Sequence, residues 1–207
     1  MKYVIFDFNG TILDDTDVCL KAENEAIAKY LPSRAPLTRD EYLQVFTFPV
    51  KSYYEKIGFT FDEHSYEEIG DFWFKRYCEL KDEYAVYEGV IDILESNHKK
   101  GFHNILLSVS KKEEMLKQLD ELGIAAYFDE VLGIDHIYAT SKIEIAKDWI
   151  KDKDPQECIM IGDTLHDLEC ARAMKVECIL VANGHQAKNV LLKEYDRVVD
   201  DIREICL

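Results

Sequence analysis

The stretch Tyr3-Val4-Ile5-Phe6-Asp7-Phe8-Asn9-Gly10-Thr11 decides how this chain is read. An apolar run meets a single carboxylate at Asp7, and a Gly-Thr turn signal follows at once. Near-continuous apolarity marks a strand buried on both faces, as in a parallel sheet covered by helices. Four further runs, at 104–109, 130–133, 158–162 and 177–181, share this character, and each is followed by a turn signal and a helical pattern. Residues 197–199 are a candidate sixth strand before a short C-terminal helix. The pattern predicts an α/β fold with a doubly wound parallel sheet.

One interval breaks the strand–helix rhythm. Between 3–8 and the helix expected at 90–100, the sequence reads as almost wholly helical: 17–31, 39–47, 50–57 and 65–84. Pro32, Pro36, Pro49 and Gly58 punctuate it as helix boundaries. The interval is too long for a crossover loop. It predicts a helical cap at 16–85, inserted into a core made of 1–15 and 86–207. Asp14, Asp15 and Asp17 read as the acidic start of the first cap helix, where negative charge suits the helix dipole.

Composition narrows the function. The formal net charge is −16, and a field of that sign repels nucleic acid and anionic membrane, so neither is an expected partner. The six cysteines form no C-x-x-C pair, and the apolar start of the chain is too short for a signal or a membrane span. The expected setting is a reducing cytoplasm.

In an open parallel sheet, ligands bind beyond the carboxyl ends of the strands. Asp7 ends the first strand there, Ser108-Val109-Ser110-Lys111 the second, and Gly162-Asp163-Thr164-Leu165-His166-Asp167 the fourth. Lys142 starts the helix after the third. Carboxylates gathered at one edge need a cation between them, and Mg²⁺ suits carboxyl or carbonyl oxygens together with substrate phosphate and water. Asp7 can attack phosphorus, while Lys142 and Ser108 can hold the transferring oxygens.

These residues carry a specific resemblance. Asp7-Phe8-Asn9-Gly10-Thr11 resembles the first motif of the haloacid dehalogenase-like superfamily, D-x-D-G-T. Ser108 is similar to its second motif, Lys142 to its third, and Gly162 through Asp167 to its fourth, G-D-x-x-x-D. The helical insert resembles the C1 cap of phosphoglycolate-phosphatase-like and β-phosphoglucomutase-like members. The resemblance implies Asp7 as nucleophile, with the Asn9 carbonyl and Asp163 as Mg²⁺ ligands and Asp167 in support. Thr11, Ser110, Lys111, Lys51 and His185 are candidate substrate contacts. His166 reads as facing the cap or solvent.

One position departs from the motif. Where the family's phosphatases place a second Asp as general acid and base, this chain has Asn9. An amide can do neither task, and general acid–base catalysis is worth about 10²–10⁴-fold. The expectation is a Mg²⁺-dependent hydrolase of a small phosphorylated metabolite, slow to release its aspartyl-phosphate. The alternatives are a phosphotransferase or phosphomutase, a phosphonate hydrolase using Lys51 or Lys56 as a Schiff base, and a weakly catalytic protein that senses a phosphometabolite. The paired acids Asp163 and Asp167 speak against a metal-free dehalogenase.

Overall fold

The computed structural model describes residues 2–138 and 141–207. The chain runs β1 (Tyr3–Phe6), β2 (Leu13–Asp14), α1 (Thr16–Tyr30), α2 (Arg39–Val45), α3 (Val50–Ile57), α4 (Tyr66–Glu79), β3 (Ala85–Val86), α5 (Val90–Lys99) and β4 (His103–Lys111). It continues through α6 (Lys112–Glu121), β5 (Glu130–Ile134), α7 (Ile143–Ile150), β6 (Cys158–Gly162), α8 (Leu165–Met174), β7 (Glu177–Val181), α9 (Lys188–Leu191) and β8 (Val198–Val199).

The main sheet has the order β5-β4-β1-β6-β7-β8, and every pair in it is parallel. Strand β1 lies between β4 and β6, where the chain's progress across the sheet reverses, so a crevice opens at its carboxyl end. Alternate residues face opposite layers. Val4, Phe6, Leu106, Ile159 and Ile161 pack with Val90 and Leu94 of α5 and Met115 and Leu119 of α6. Ile5, Ile105, Leu107 and Met160 pack on the other side with Trp149 of α7 and Leu168 and Met174 of α8.

Strand β1 stops at Phe6, two residues short of the apolar run. The Phe8 carbonyl is taken by the turn that follows, accepting from Ile12 and Leu13 N–H at 2.9 Å each. The antiparallel pair β2–β3 was not expected; two residues per strand leave no periodicity to read. Helices α2 and α4 end at Val45 and Glu79, before 47 and 84, and Lys81–Glu83 forms a short 3₁₀ turn instead. No helix among the described residues is long and apolar enough to cross a membrane.

Helices α1–α4 share an apolar cluster of their own, built from Val18, Ala22, Ile27, Tyr53, Tyr54, Ile57 and Ile69 among others. Their starts follow side-chain chemistry. Thr38 and Glu41 form a reciprocal capping box on α2, and Ser65 accepts the Glu68 N–H on α4. The unit docks over the crevice through Gln186 Nε2 to the Phe46 carbonyl at 2.8 Å and Ala187 N–H to the Leu43 carbonyl at 3.0 Å.

Within this cluster sits a carboxyl, Glu23, only 2% exposed. Burial pushes it up to about 8 from 4.5, with the Tyr54 hydroxyl opposing. Between those values the unfolded chain has released a proton that the folded chain keeps, so native stability falls as pH rises through that window. Glu23→Gln removes the titration. The variant is expected to melt above the parent at neutral pH, with the difference growing between about pH 5 and pH 8. Melting curves across that range check it; a difference independent of pH would refute the assignment.

Candidate active site

Register brings the site together before any side chain is considered. Phe6 is level with Leu106 on β4 and with Ile161 on β6, so Asp7 emerges beside Ser108 and Asp163. The Asp7 N–H continues the ladder to the Ile161 carbonyl at 2.9 Å. Gly10 turns the chain back with φ +74°, a region that other residues seldom adopt, and a Cβ there would collide with the Asp163 carboxylate.

Lys142 reaches into this edge from the start of α7 and is buried. Its ammonium donates to Asp7 Oδ1, lies 2.7 Å from Asp167 Oδ1, and donates to the Leu107 carbonyl at 2.9 Å. Burial opposes the charged lysine, yet Asp167 and Asp7 outweigh it and its pKa is raised. Asp167 is held low despite burial, chiefly by Lys142. Asp7 shares the same cation, and burial together with Asp167 and Asp163 still pushes it up to about 8. Burial likewise lifts Asp163 to about 6.

Asp7, Asp163 and Asp167 thus form a buried group whose oxygens lie within 4.8 Å of one another. One lysine does not balance three carboxylates. An all-oxygen donor set with surplus negative charge suits a hard divalent cation, so the residues present fit Mg²⁺. Asp167 is the least available ligand. Its Oδ2 accepts from Asp163 N–H at 3.1 Å, Thr164 N–H at 2.9 Å and Thr164 Oγ at 2.7 Å, while Oδ1 faces Lys142. Within the cluster it thus also orients Lys142 and the loop after β6.

Asn9 is anchored at both ends of its amide. Nδ2 donates to Asp15 Oδ2 at 2.6 Å and to the Tyr77 hydroxyl at 3.1 Å, and Oδ1 accepts from Ser110 Oγ at 2.8 Å. Asp15 does not cap α1 with its side chain. It turns instead toward the site, where it accepts from Gly10 N–H at 3.1 Å and Tyr77 at 2.9 Å and faces His185 Nε2 at 3.3 Å. Burial disfavours charge on both partners, but their pairing prevails: Asp15 is lowered and His185 is raised to about 9.

The other expected contacts divide. Ser108 is buried, its Oγ bonded to the Ser110 N–H and hydroxyl at 3.1 Å each. Thr11 donates to Asp163 Oδ1 at 3.0 Å, so it supports a carboxylate instead of reaching outward. Lys111 borders the cavity and pairs with Glu113 at 3.2 Å. Lys51 is exposed, its ammonium over the Phe61 and Tyr66 rings and away from the cavity lining. An amphipathic helix turns that cation to solvent. His185 is buried in the lining, with Nδ1 2.9 Å from the Tyr42 hydroxyl and its N–H donating to Asp163 at 2.6 Å. His166 is buried too, its Nε2 accepting the Lys142 N–H at 3.3 Å. Asp15, Tyr42, Tyr77 and Glu23 were missed as site residues; only their tertiary neighbours distinguish them.

Lys142→Met leaves Asp7 and Asp167 buried without their shared cation. Such a loss costs about 3–5 kcal/mol, and urea unfolding in the presence of a chelator is expected to show it at neutral pH. An unchanged midpoint would mean that the three charges are not coupled.

The chain is similar to known proteins along most of its length. It is 24% identical over 174 residues to the pyrophosphatase PpaX of Listeria innocua, covering 82% of this chain and 77% of that one. It is 25% identical over 200 residues to a phosphoglycolate phosphatase of Aquifex aeolicus, covering 94% and 91%. In structure it resembles CbbY from Rhodobacter sphaeroides in complex with phosphate, with a TM-score of 0.75 and 19% identity over 99% of this chain and 96% of that one. The sequence profile of the haloacid dehalogenase-like hydrolases matches residues 4–181. The chain belongs to the haloacid dehalogenase-like hydrolase family.

Proposed function

We propose that this protein is a Mg²⁺-dependent phosphatase of small phosphomonoesters that works through an aspartyl-phosphate on Asp7. The observation that carries the reading is the Lys142 ammonium, shared by Asp7 and Asp167 at the crevice of the sheet. It aligns a carboxylate with a fixed positive charge where a phosphoryl group would sit. The family, and relatives named as a pyrophosphatase and a phosphoglycolate phosphatase, support the same chemistry.

Asp7, Asp163 and the Asn9 carbonyl would hold Mg²⁺, which supplies charge neutralisation for the phosphate. Asp7 attacks phosphorus in line, and the bond to the leaving oxygen breaks. Lys142 and the Ser108 hydroxyl hold the transferring oxygens. Water then attacks the phosphorus, restoring the Asp7 carboxylate and releasing inorganic phosphate. The helical unit at 16–85 acts as a cap that shields this exchange from bulk solvent.

Asn9 can neither give a proton to the leaving oxygen nor take one from the attacking water; solvent must supply the first and accept the second, and release of phosphate from Asp7 is the slow step. The amide has a structural reason to be there. A carboxylate in its place would face Asp15 across the 2.6 Å contact, and two such groups cannot both ionise easily. A phosphonate hydrolase using Lys51 is disfavoured by that lysine's exposure and by its absence from the residues that line the cavity.

Phosphate release from a set of phosphomonoesters, with and without Mg²⁺, tests the reading. Wild type is expected to need Mg²⁺, and Asp7→Asn to lose turnover. Asn9→Asp is expected to gain up to about 10²–10⁴-fold, because its new carboxyl shares a proton with Asp15. Turnover surviving in Asp7→Asn would remove the nucleophile assignment. An inert wild type beside an active Asn9→Asp would favour a sensing role.

A further inference from the structure

The helical unit encloses a cavity of about 140 Å³ over Asp7. That is close to the roughly 150 Å³ of an engineered cavity known to hold benzene, so a group of about six to eight heavy atoms fits. Rings of Tyr42, Phe46, Tyr53, Tyr54, Trp73 and Tyr77 supply much of the wall. The charged residue that the helical unit contributes to the lining is Glu23.

Glu23 is placed at the far end from the phosphoryl site. Asp15, Cys19 and Glu23 follow one another at four-residue spacing and share a face of α1 and its start. Eight residues at about 1.5 Å rise put Glu23 about 12 Å beyond Asp15, and Asp15 touches Asn9. Two polar atoms at this end make no hydrogen bond among the described residues: Glu23 Oε1 and the Tyr53 hydroxyl. The Tyr54 hydroxyl serves the Glu23 carboxyl only in part; an unsatisfied buried oxygen weakens a fold, and a helix packed among aromatic rings would be steadier with an apolar residue there.

Resting on the phosphatase reading, we propose that this cavity is the leaving-group subsite and accepts a small organic cation, on whose arrival Glu23 gives up its proton to solvent and serves as counter-ion, with the rings as the cage. Ring faces attract cations through their quadrupoles, most strongly when both are desolvated. The remaining charges leave the cation unopposed. Asp7 and Glu114 are acidic, Lys111 is paired with Glu113, and His185 is paired with Asp15. The net charge of −16 favours approach of a cation over that of an anion. A leaving group ending in a carboxylate, as glycolate does, would find no cation at this end of the lining. The substrate class is therefore a phosphomonoester of an amino or quaternary-ammonium alcohol.

Calorimetric titration of choline and benzylamine, each against its neutral isostere (3,3-dimethylbutanol and benzyl alcohol), tests the subsite without turnover. At least one cation is expected to bind wild type more tightly than its isostere by about tenfold or more, and Glu23→Gln to abolish most of that preference. Equal binding of each pair, no binding of either cation, or a preference unchanged in Glu23→Gln would overturn the proposal. Phosphate release from phosphocholine and 3,3-dimethylbutyl phosphate separates the two readings. A KM ratio favouring phosphocholine that collapses in Glu23→Gln supports the subsite. Turnover of both esters with no such ratio leaves the phosphatase reading standing and removes the subsite. Glu23-dependent cation binding without release from any ester does the reverse.

Discussion

A single ammonium group, that of Lys142, makes the centre of this protein tenable. Three carboxylates are gathered in a space from which water is largely excluded, and burying charge without a partner is among the costliest things a fold can do. Lys142 satisfies two of them directly and spends its remaining proton on the Leu107 carbonyl, tying α7 to β4 in the same contact. Its backbone is steadied in turn by His166. The residual negative charge suits a hard divalent cation.

A second constraint joins the core to the helical unit. The Asn9 amide lies between Asp15, Tyr77 and Ser110, which belong to three different parts of the chain. The Asp15–His185 pair extends the connection to Tyr42, so α2 and α4 are anchored to the edge of the sheet at Asp7 by polar contacts. An amide suits this position because it can donate to a carboxylate at one end and accept from a hydroxyl at the other. The departure from the family's usual carboxylate is therefore part of a local network that reaches into the helical unit.

The two ends of the enclosed space have opposite chemistry. At the sheet edge are backbone turns, carboxylates and one lysine. At the other end are ring faces and the Glu23 carboxyl. Polar groups at one end and aromatic groups at the other suit a ligand that is itself polar at one end and bulkier at the other.

Much of the sheet could be read directly, because a strand covered on both faces must be nearly continuously apolar, as the runs at 104–109, 158–162 and 177–181 are. That Asp7, Ser108, Lys142 and Asp163 stand at one edge of the sheet was legible as well, since strand-end position and residue type are local properties. The two-residue strands of the β2–β3 ribbon were not, having too few residues to show a period. Nor were the roles of Asp15 and Glu23: one resembled a helix-start acid and the other an ordinary helical glutamate. Sequence by itself determined the fold class and which residues stand at the sheet edge, because hydrophobic periodicity and turn chemistry act over short spans. Only tertiary structure decided what surrounds Asn9, where Lys51 points, and that Glu23 is buried among rings, because burial and partnership depend on segments distant in the chain.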